Sequence, residues 1–117
     1  MTNETHVPDA NGVVHIYNED GVLIRAERST GVVDYYKNDV LVRIEYPGGA
    51  VKHYENSEHV YTEFPNGKVY HYEGNKLVRI RQRNGMVQHY EDGELVRIEW
   101  PDGTVRHYKN ARVVTYD

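Results

Sequence analysis

Hydrophobic and polar positions alternate along this chain in short runs, and the runs recur. Val-Gln-His-Tyr at 87–90 is followed, across Asp92-Gly93, by Leu-Val-Arg-Ile-Glu-Trp at 95–100. Runs of this length, bounded by Gly, Asn, Asp and Pro, predict strands rather than helices. Gly12, Gly31, Gly49, Gly67, Gly85 and Gly103 set a frame whose first spacing is 19 residues and whose later spacings are 18. The second residue after each is valine: Val14, Val33, Val51, Val69, Val87, Val105. The fifth is tyrosine: Tyr17, Tyr36, Tyr54, Tyr72, Tyr90, Tyr108. The fourth is His53, His71, His89 and His107 in the last four units, and Ile16 and Tyr35 in the first two.

Each unit holds two such runs. Asn38-Asp39, Asn56-Ser57, Gly74-Asn75, Asp92-Gly93 and Asn110-Ala111 lie between them, and Pro47-Gly48-Gly49, Pro65-Asn66-Gly67, Asn84-Gly85 and Pro101-Asp102-Gly103 join unit to unit. Asn-Gly and Asp-Gly suit tight hairpin turns that need φ > 0. The predicted fold is all-β: an antiparallel meander of about twelve short strands, built from six hairpin repeats as a single-layer twisted sheet. Residues 1–11 are read as an N-terminal arm and 12–117 as one repeat domain, with units 12–30, 31–48, 49–66, 67–84, 85–102 and 103–117. The extra residue in the first unit, near Gly21, predicts a longer or bulged turn there.

Side chains alternate across a strand, so the turns predict two faces. A two-residue turn at Asp92-Gly93 sets Tyr90 opposite Leu95, His89 opposite Val96 and Val87 opposite Ile98. A second at Asp102-Gly103 sets Trp100 opposite Val105 and Ile98 opposite His107. One face then collects Val87, His89, Val96, Ile98, Trp100, Val105 and His107. The other collects Gln88, Tyr90, Leu95, Arg97 and Glu99. The first, apolar face is expected to need cover from a second copy, from coiling of the sheet or from another protein. The second predicts a partner-binding groove across Tyr54, Tyr72 and Tyr90 with Arg79 and Arg97.

Composition narrows the chemistry. The 117 residues hold no cysteine, which removes disulfides and thiol nucleophiles. Net charge is -4, which gives no reason to expect binding to nucleic acid. The polar start reads as neither a signal nor a transit segment, no run is long enough for a membrane helix, and a cytoplasmic location is expected. Successive column histidines should lie about 9.6 Å apart, twice the strand spacing. Zinc requires ligand nitrogens within about 2 Å of one ion. No metal or cofactor site is therefore predicted; each column histidine is read as structural, between Val and Ile neighbours on the adjoining strands, with a pH-responsive interface as the remaining alternative. Glu27, Glu45, Glu63 and Glu99 share one column, and Ser29 and Ser57 lie in junctions or turns without a triad, so no catalytic group is assigned.

The string HYEDGELVRIEWPDG resembles variant MORN repeats, across residues 12–117. That resemblance implies successive hairpins in an elongated sheet and roles in protein scaffolding and protein contacts, with some members tied to lipid. WPDGTVRHY is similar to the glycine-box domain of centriole-assembly proteins. This implies a single-layer sheet that binds a partner peptide and stacks end to end. The units also resemble the tyrosine–aspartate repeats of secreted bacterial toxins, which wrap as a shell. The expected function is a non-catalytic scaffold that self-associates, as a homodimer or end to end, or binds another protein. The alternatives are a lipid-associated membrane adaptor and a small hydrolase or carbohydrate-binding module using the Tyr/Glu face.

Overall fold

The computed structural model describes residues 3–116, so the first two residues of the expected arm and the last of the repeat domain lie outside the described residues. The strands are β1 (Thr5–Pro8), β2 (Val14–Tyr17), β3 (Leu23–Glu27), β4 (Val33–Lys37), β5 (Val40–Glu45), β6 (Val51–Glu55), β7 (Glu58–Glu63), β8 (Val69–Glu73), β9 (Lys76–Arg81), β10 (Val87–Glu91), β11 (Glu94–Glu99), β12 (Val105–Lys109) and β13 (Arg112–Tyr116). The chain forms two compact units, residues 1–58 and 59–117. In each, strand order follows chain order and the sheet is open, not a barrel. This is the antiparallel meander that the alternation predicts.

The thirteenth strand comes from the expected arm. β1 pairs with β2 from Thr5↔Tyr17 to Pro8↔Val14. Glu4 accepts two hydrogen bonds from the Arg25 guanidinium, at 2.9 and 3.0 Å, which anchors this polar segment. Pro8 ends the strand, where its missing N–H leaves no gap in the ladder.

Two turn types alternate. Within hairpins both central residues have positive φ, as at Asn38 and Asp39 (52° and 65°), which is the two-residue turn the sequence predicts. The junctions are longer. Trp100 N–H donates to the Thr104 carbonyl and Gly103 N–H donates to the Trp100 carbonyl, at 2.9 and 3.0 Å. Three residues, Pro101 to Gly103, thus form the loop, and only its glycine has positive φ (90°). The first hairpin borrows this longer turn, with Asn18 N–H donating to Val22 and Gly21 N–H to Asn18. That accounts for the extra residue of unit 12–30.

The three-residue junction and a bulge correct the predicted faces. Tyr90 pairs with Leu95 as expected, but His89 pairs with Arg97, Gln88 with Ile98 and Val87 with Glu99, so Val96 is an inserted residue. On the other side Arg97 pairs with His107, Ile98 with Arg106 and Glu99 with Val105. A slip of one residue moves a strand's side chains to the opposite face. Ile98 and Trp100 therefore leave Val87, His89, Val105 and His107 for the other side, and Arg97 and Glu99 take their place. The same bulge separates Tyr17 from Ile16, Tyr36 from Tyr35, Tyr72 from His71 and Tyr108 from His107.

In the first unit one face carries the middle row Ala26–Asp34–Ile44–Lys52. In the second unit, taken by itself, the equivalent face carries Thr62–Tyr70–Ile80–Gln88–Ile98–Arg106. Five of the most buried side chains belong to these rows: Ala26, Asp34, Thr62, Ile80 and Ile98. Ile98 is 8% exposed although no second layer lies over it. Directly across the ladder on either side stand the long side chains of Gln88 and Arg106. Long polar side chains of this kind cover apolar neighbours with their stems, and the ends of these two are turned to Gln82 and Trp100. Such burial contributes about 1.5–3 kcal/mol per isoleucine. Ile98 thus meets its expected need for cover within its own sheet.

Each junction is also closed by a side-chain pair, three residues before and three after the glycine. Asp9 meets His15 at 3.2 Å, Arg28 meets Asp34 at 2.7 Å and Gln82 meets Gln88 at 2.8 Å. The Lys52 ammonium lies 5.5 Å from the Tyr46 ring, and the Arg106 guanidinium 5.1 Å from the Trp100 ring. Phe64 meets Tyr70 edge to face at 4.9 Å. Six pairs of different chemistry thus occupy one geometric site.

Two stability measurements follow. Ala111 holds φ 64°, which costs an L side chain about 1 kcal/mol relative to glycine. Ala111→Gly should raise the urea midpoint accordingly, and a lowered midpoint would contradict the turn assignment. Arg28→Ala leaves the buried Asp34 carboxylate unpaired and should cost about 2 kcal/mol. The double change Arg28→Tyr and Asp34→Lys copies the Tyr46/Lys52 pair and should recover most of that loss. A double variant no better than Arg28→Ala would show that the pairs are not interchangeable.

Candidate functional site

The opposite face holds two rows whose chemistry repeats. The outer row is Val14–Glu27–Val33–Glu45–Val51 in the first unit. In the second unit it is Glu63–Val69–Arg81–Val87–Glu99–Val105. The inner row is Ile16–Arg25–Tyr35–Arg43–His53, then Tyr61–His71–Arg79–His89–Arg97–His107. From Arg25 to His53, and again from His71 to His107, guanidinium groups thus alternate with rings along the inner row. Each column histidine has an arginine directly across the ladder, and His89 has one on both sides, in place of the valine and isoleucine neighbours predicted for them.

Most of these arginines are held by carboxylates two residues on, which a strand places on the same side. Arg25 Nε donates to Glu27 at 2.9 Å. The Arg43 guanidinium lies 4.1 Å from the Tyr35 ring centre, with its Nε 3.2 Å from Glu45. Tyr35 O–H donates to the same Glu45 carboxylate at 3.0 Å. Arg97 Nε and His89 Nε2 share Glu99 Oε1 at 3.0 and 2.9 Å. The Tyr61 and His71 rings stack at 5.8 Å. These networks fix flat, cationic and aromatic groups in set positions.

β9 departs from the pattern. Arg81 occupies the outer-row position that Glu27, Glu45, Glu63 and Glu99 occupy on other strands. Among the described residues, Arg79 and Arg81 have no carboxylate partner. Their field is visible in the histidines beside them. Burial pushes the His71 pKa below its ordinary value, and Arg79 and Arg81 push it further down. Burial also lowers His89, reinforced by Arg97 and Arg79 and opposed by Glu99.

The register separates the residues of the predicted groove. Tyr72 and Tyr90 lie with Leu77 and Leu95 on the isoleucine face, whereas Arg79 and Arg97 lie on the arginine–histidine face. Tyr54 belongs to the first unit. The Tyr/Glu face of the hydrolase or carbohydrate alternative is divided in the same way, because the tyrosine column and the glutamate column point to opposite sides. Sequence reasoning missed the junction pairs, although their complementarity three residues either side of each glycine is written in the chain. It also missed the Glu-to-Arg change at Arg81 as a local excess of charge.

Among the described residues, no group of three or more His, Asp or Glu is arranged to hold a metal ion. No described helix is long and apolar enough to cross a membrane. One depression, of about 390 Å³, lies on the isoleucine face around Arg28, Asp34 and Tyr46. Its carboxylate is already engaged by Arg28, so it offers no evident acid–base pair.

No family model matches the chain, and no curated protein matches it. Among solved structures, the chain is similar to one described as "Structural analysis of the microcephaly protein CPAP G-box domain suggests a role in centriole elongation", at 19% identity and TM-score 0.33, covering 98% of each chain.

The lowered histidine pKa values have a consequence for stability. Because folded His71 and His89 bind protons less readily than the unfolded chain, stability is present above about pH 6.5 and falls as pH drops below it. Arg79→Gln removes one source of the repulsion and should raise the His71 pKa in an NMR titration. An unchanged titration would show that Arg79 does not act on His71.

Proposed function

We propose that this chain is a non-catalytic protein-interaction scaffold and that its docking surface is the arginine–histidine face. The observation that carries the reading is the inner row, where positioned guanidinium groups alternate with Tyr and His rings in both units. Arg and aromatic residues are the types that anchor protein interfaces, because they combine area with directional polar contacts. The arrangement is repeated and open, whereas catalysis needs one concave and distinct constellation. The partner is either a second copy or a different protein. The isoleucine face is the weaker candidate for that contact, because Ile98 is already covered within the chain.

Two measurements test this. The first is native mass at micromolar concentration. Twice the 13.7 kDa of one chain identifies a second copy as the partner, and a single-chain mass removes the second copy as the partner. The second compares the proteins retained by the wild type and by the double variant Arg43→Glu, Arg97→Glu, using quantitative mass spectrometry with native mass read in parallel. The expected outcome is loss in the variant of a discrete partner, or of the dimer. Equal retention and equal native mass in a folded variant would reject this face as the docking surface.

A further inference from the structure

Charge is unevenly divided among the repeats. Residues 67–84 carry Lys68, Lys76, Arg79, Arg81 and Arg83 against the single acid Glu73, in a chain whose net charge is -4. The neighbouring unit, residues 85–102, is the reverse, with Arg97 against Glu91, Asp92, Glu94, Glu99 and Asp102. The basic excess has a definite geometry. Arg79 and Arg81 project from β9 on the arginine–histidine face, flanked by His71 and Val69 on β8 and by His89 and Val87 on β10.

Elsewhere on this face Arg25, Arg43 and Arg97 are each held by a carboxylate. Among the described residues Arg79 and Arg81 have none. The site is therefore a cationic patch with its counter-charge missing, bordered by apolar valines. Burial lowers the His71 pKa, and Arg79 and Arg81 lower it further; for His89, burial and Arg97 act first and Arg79 adds to them.

We propose that this patch binds an acidic peptide segment in extended conformation, with carboxylates at alternate positions. The inference rests on the docking-surface reading and names the partner's chemistry at one part of that surface. Alternate residues of a strand lie about 6.6–6.8 Å apart on one side. Arg79 and Arg81 have that spacing, so a second extended chain along β9 presents carboxylates in step with both guanidinium groups. Each guanidinium offers a planar fork that suits a carboxylate. The residues between the carboxylates point away from the sheet, and Val69 and Val87 border the ion pairs on either side. A nucleic-acid strand fits less well, because Glu63 and Glu99 stand in the same outer row and end the positive field after one strand.

The probe is a fluorescein-labelled peptide of alternating glutamate and threonine, with its glutamine counterpart and an oligothymidylate as comparisons, all at low salt. The full chain should bind the glutamate peptide at least tenfold more tightly than either comparison. The double variant Arg79→Gln, Arg81→Gln should lose at least tenfold of that affinity, whereas Arg112→Gln should lose little. In the wild type, the His71 and His89 ring resonances should move on binding, which keeps the site testable if the double variant folds poorly. Failure of the glutamate peptide to bind overturns the proposal. So does equal affinity for the double variant, tighter binding of oligothymidylate, or resonance changes confined to other residues. A partner retained through Arg43 and Arg97 while the acidic peptide fails would overturn the acidic-segment assignment alone and leave the docking surface standing.

Discussion

The structure depends on one inserted residue that recurs in five hairpins. Between Tyr90 and His89 the ladder slips by one position, and everything beyond the slip changes sides. Without it, Ile98 would stand with Val87 and His89, and Arg97 would stand with Tyr90. With it, Arg97 and Glu99 come beside His89 and form a charge network, while Ile98 comes beneath Gln88 and Arg106. Bulges are a usual means of re-aiming side chains within a sheet. Here the repeated bulge sorts a uniform repeat into an ionic face and a mixed apolar face.

A chain of near-identical hairpins faces a particular problem, since many wrong registers bury equivalent residues. Register is weakly specified wherever neighbouring pairings look alike. The junction pairs supply the missing distinction. An Asp–His contact, an Arg–Asp ion pair, a Lys–Tyr contact, a Phe–Tyr edge contact, a Gln–Gln hydrogen bond and an Arg–Trp contact occupy equivalent places. Exchange among them sets unlike chemistry together, most severely for the buried Asp34. Local complementarity at each junction agrees with the global order of strands, as a funnelled landscape requires.

The meander, its hairpin turns and the unusual first turn were legible in the sequence because glycine and asparagine placement reports backbone conformation directly. The faces were not. The turn at Asp92-Gly93 was correctly read, yet a bulge at Val96 leaves no mark in a run of strand-forming residues. The junction at Pro101-Asp102-Gly103 was read one residue short. Both departures shift β11 in the same sense, so the two turns agreed with each other while both misplaced Ile98 and Arg97. The candidate surface inherited the error, because it joined Tyr90 to Arg97 across what proves to be the thickness of the sheet. A charge argument would have separated them: Arg97 with Glu99 and His89 forms a network, whereas Arg97 beside Leu95 and Tyr90 does not.

Repetition also changes the meaning of an exception. In an irregular protein an exposed arginine is ordinary and asks for no account. On this sheet each strand shows what its neighbours would hold at the same position, so Arg81 in the glutamate row is a measured departure from the chain's own pattern. The departure removes a carboxylate and adds a cation at one step, a change of two charges where Arg79 already stands two residues away. It also lowers the proton affinity of His71, an unfavourable effect in the isolated chain near and below neutral pH. A like-charged cluster that gains nothing from its own neighbours is most readily understood through a group from outside. An anion placed over β9 would offset the repulsion that Arg79 exerts on both histidines and supply the carboxylates that the other arginines of this face already have.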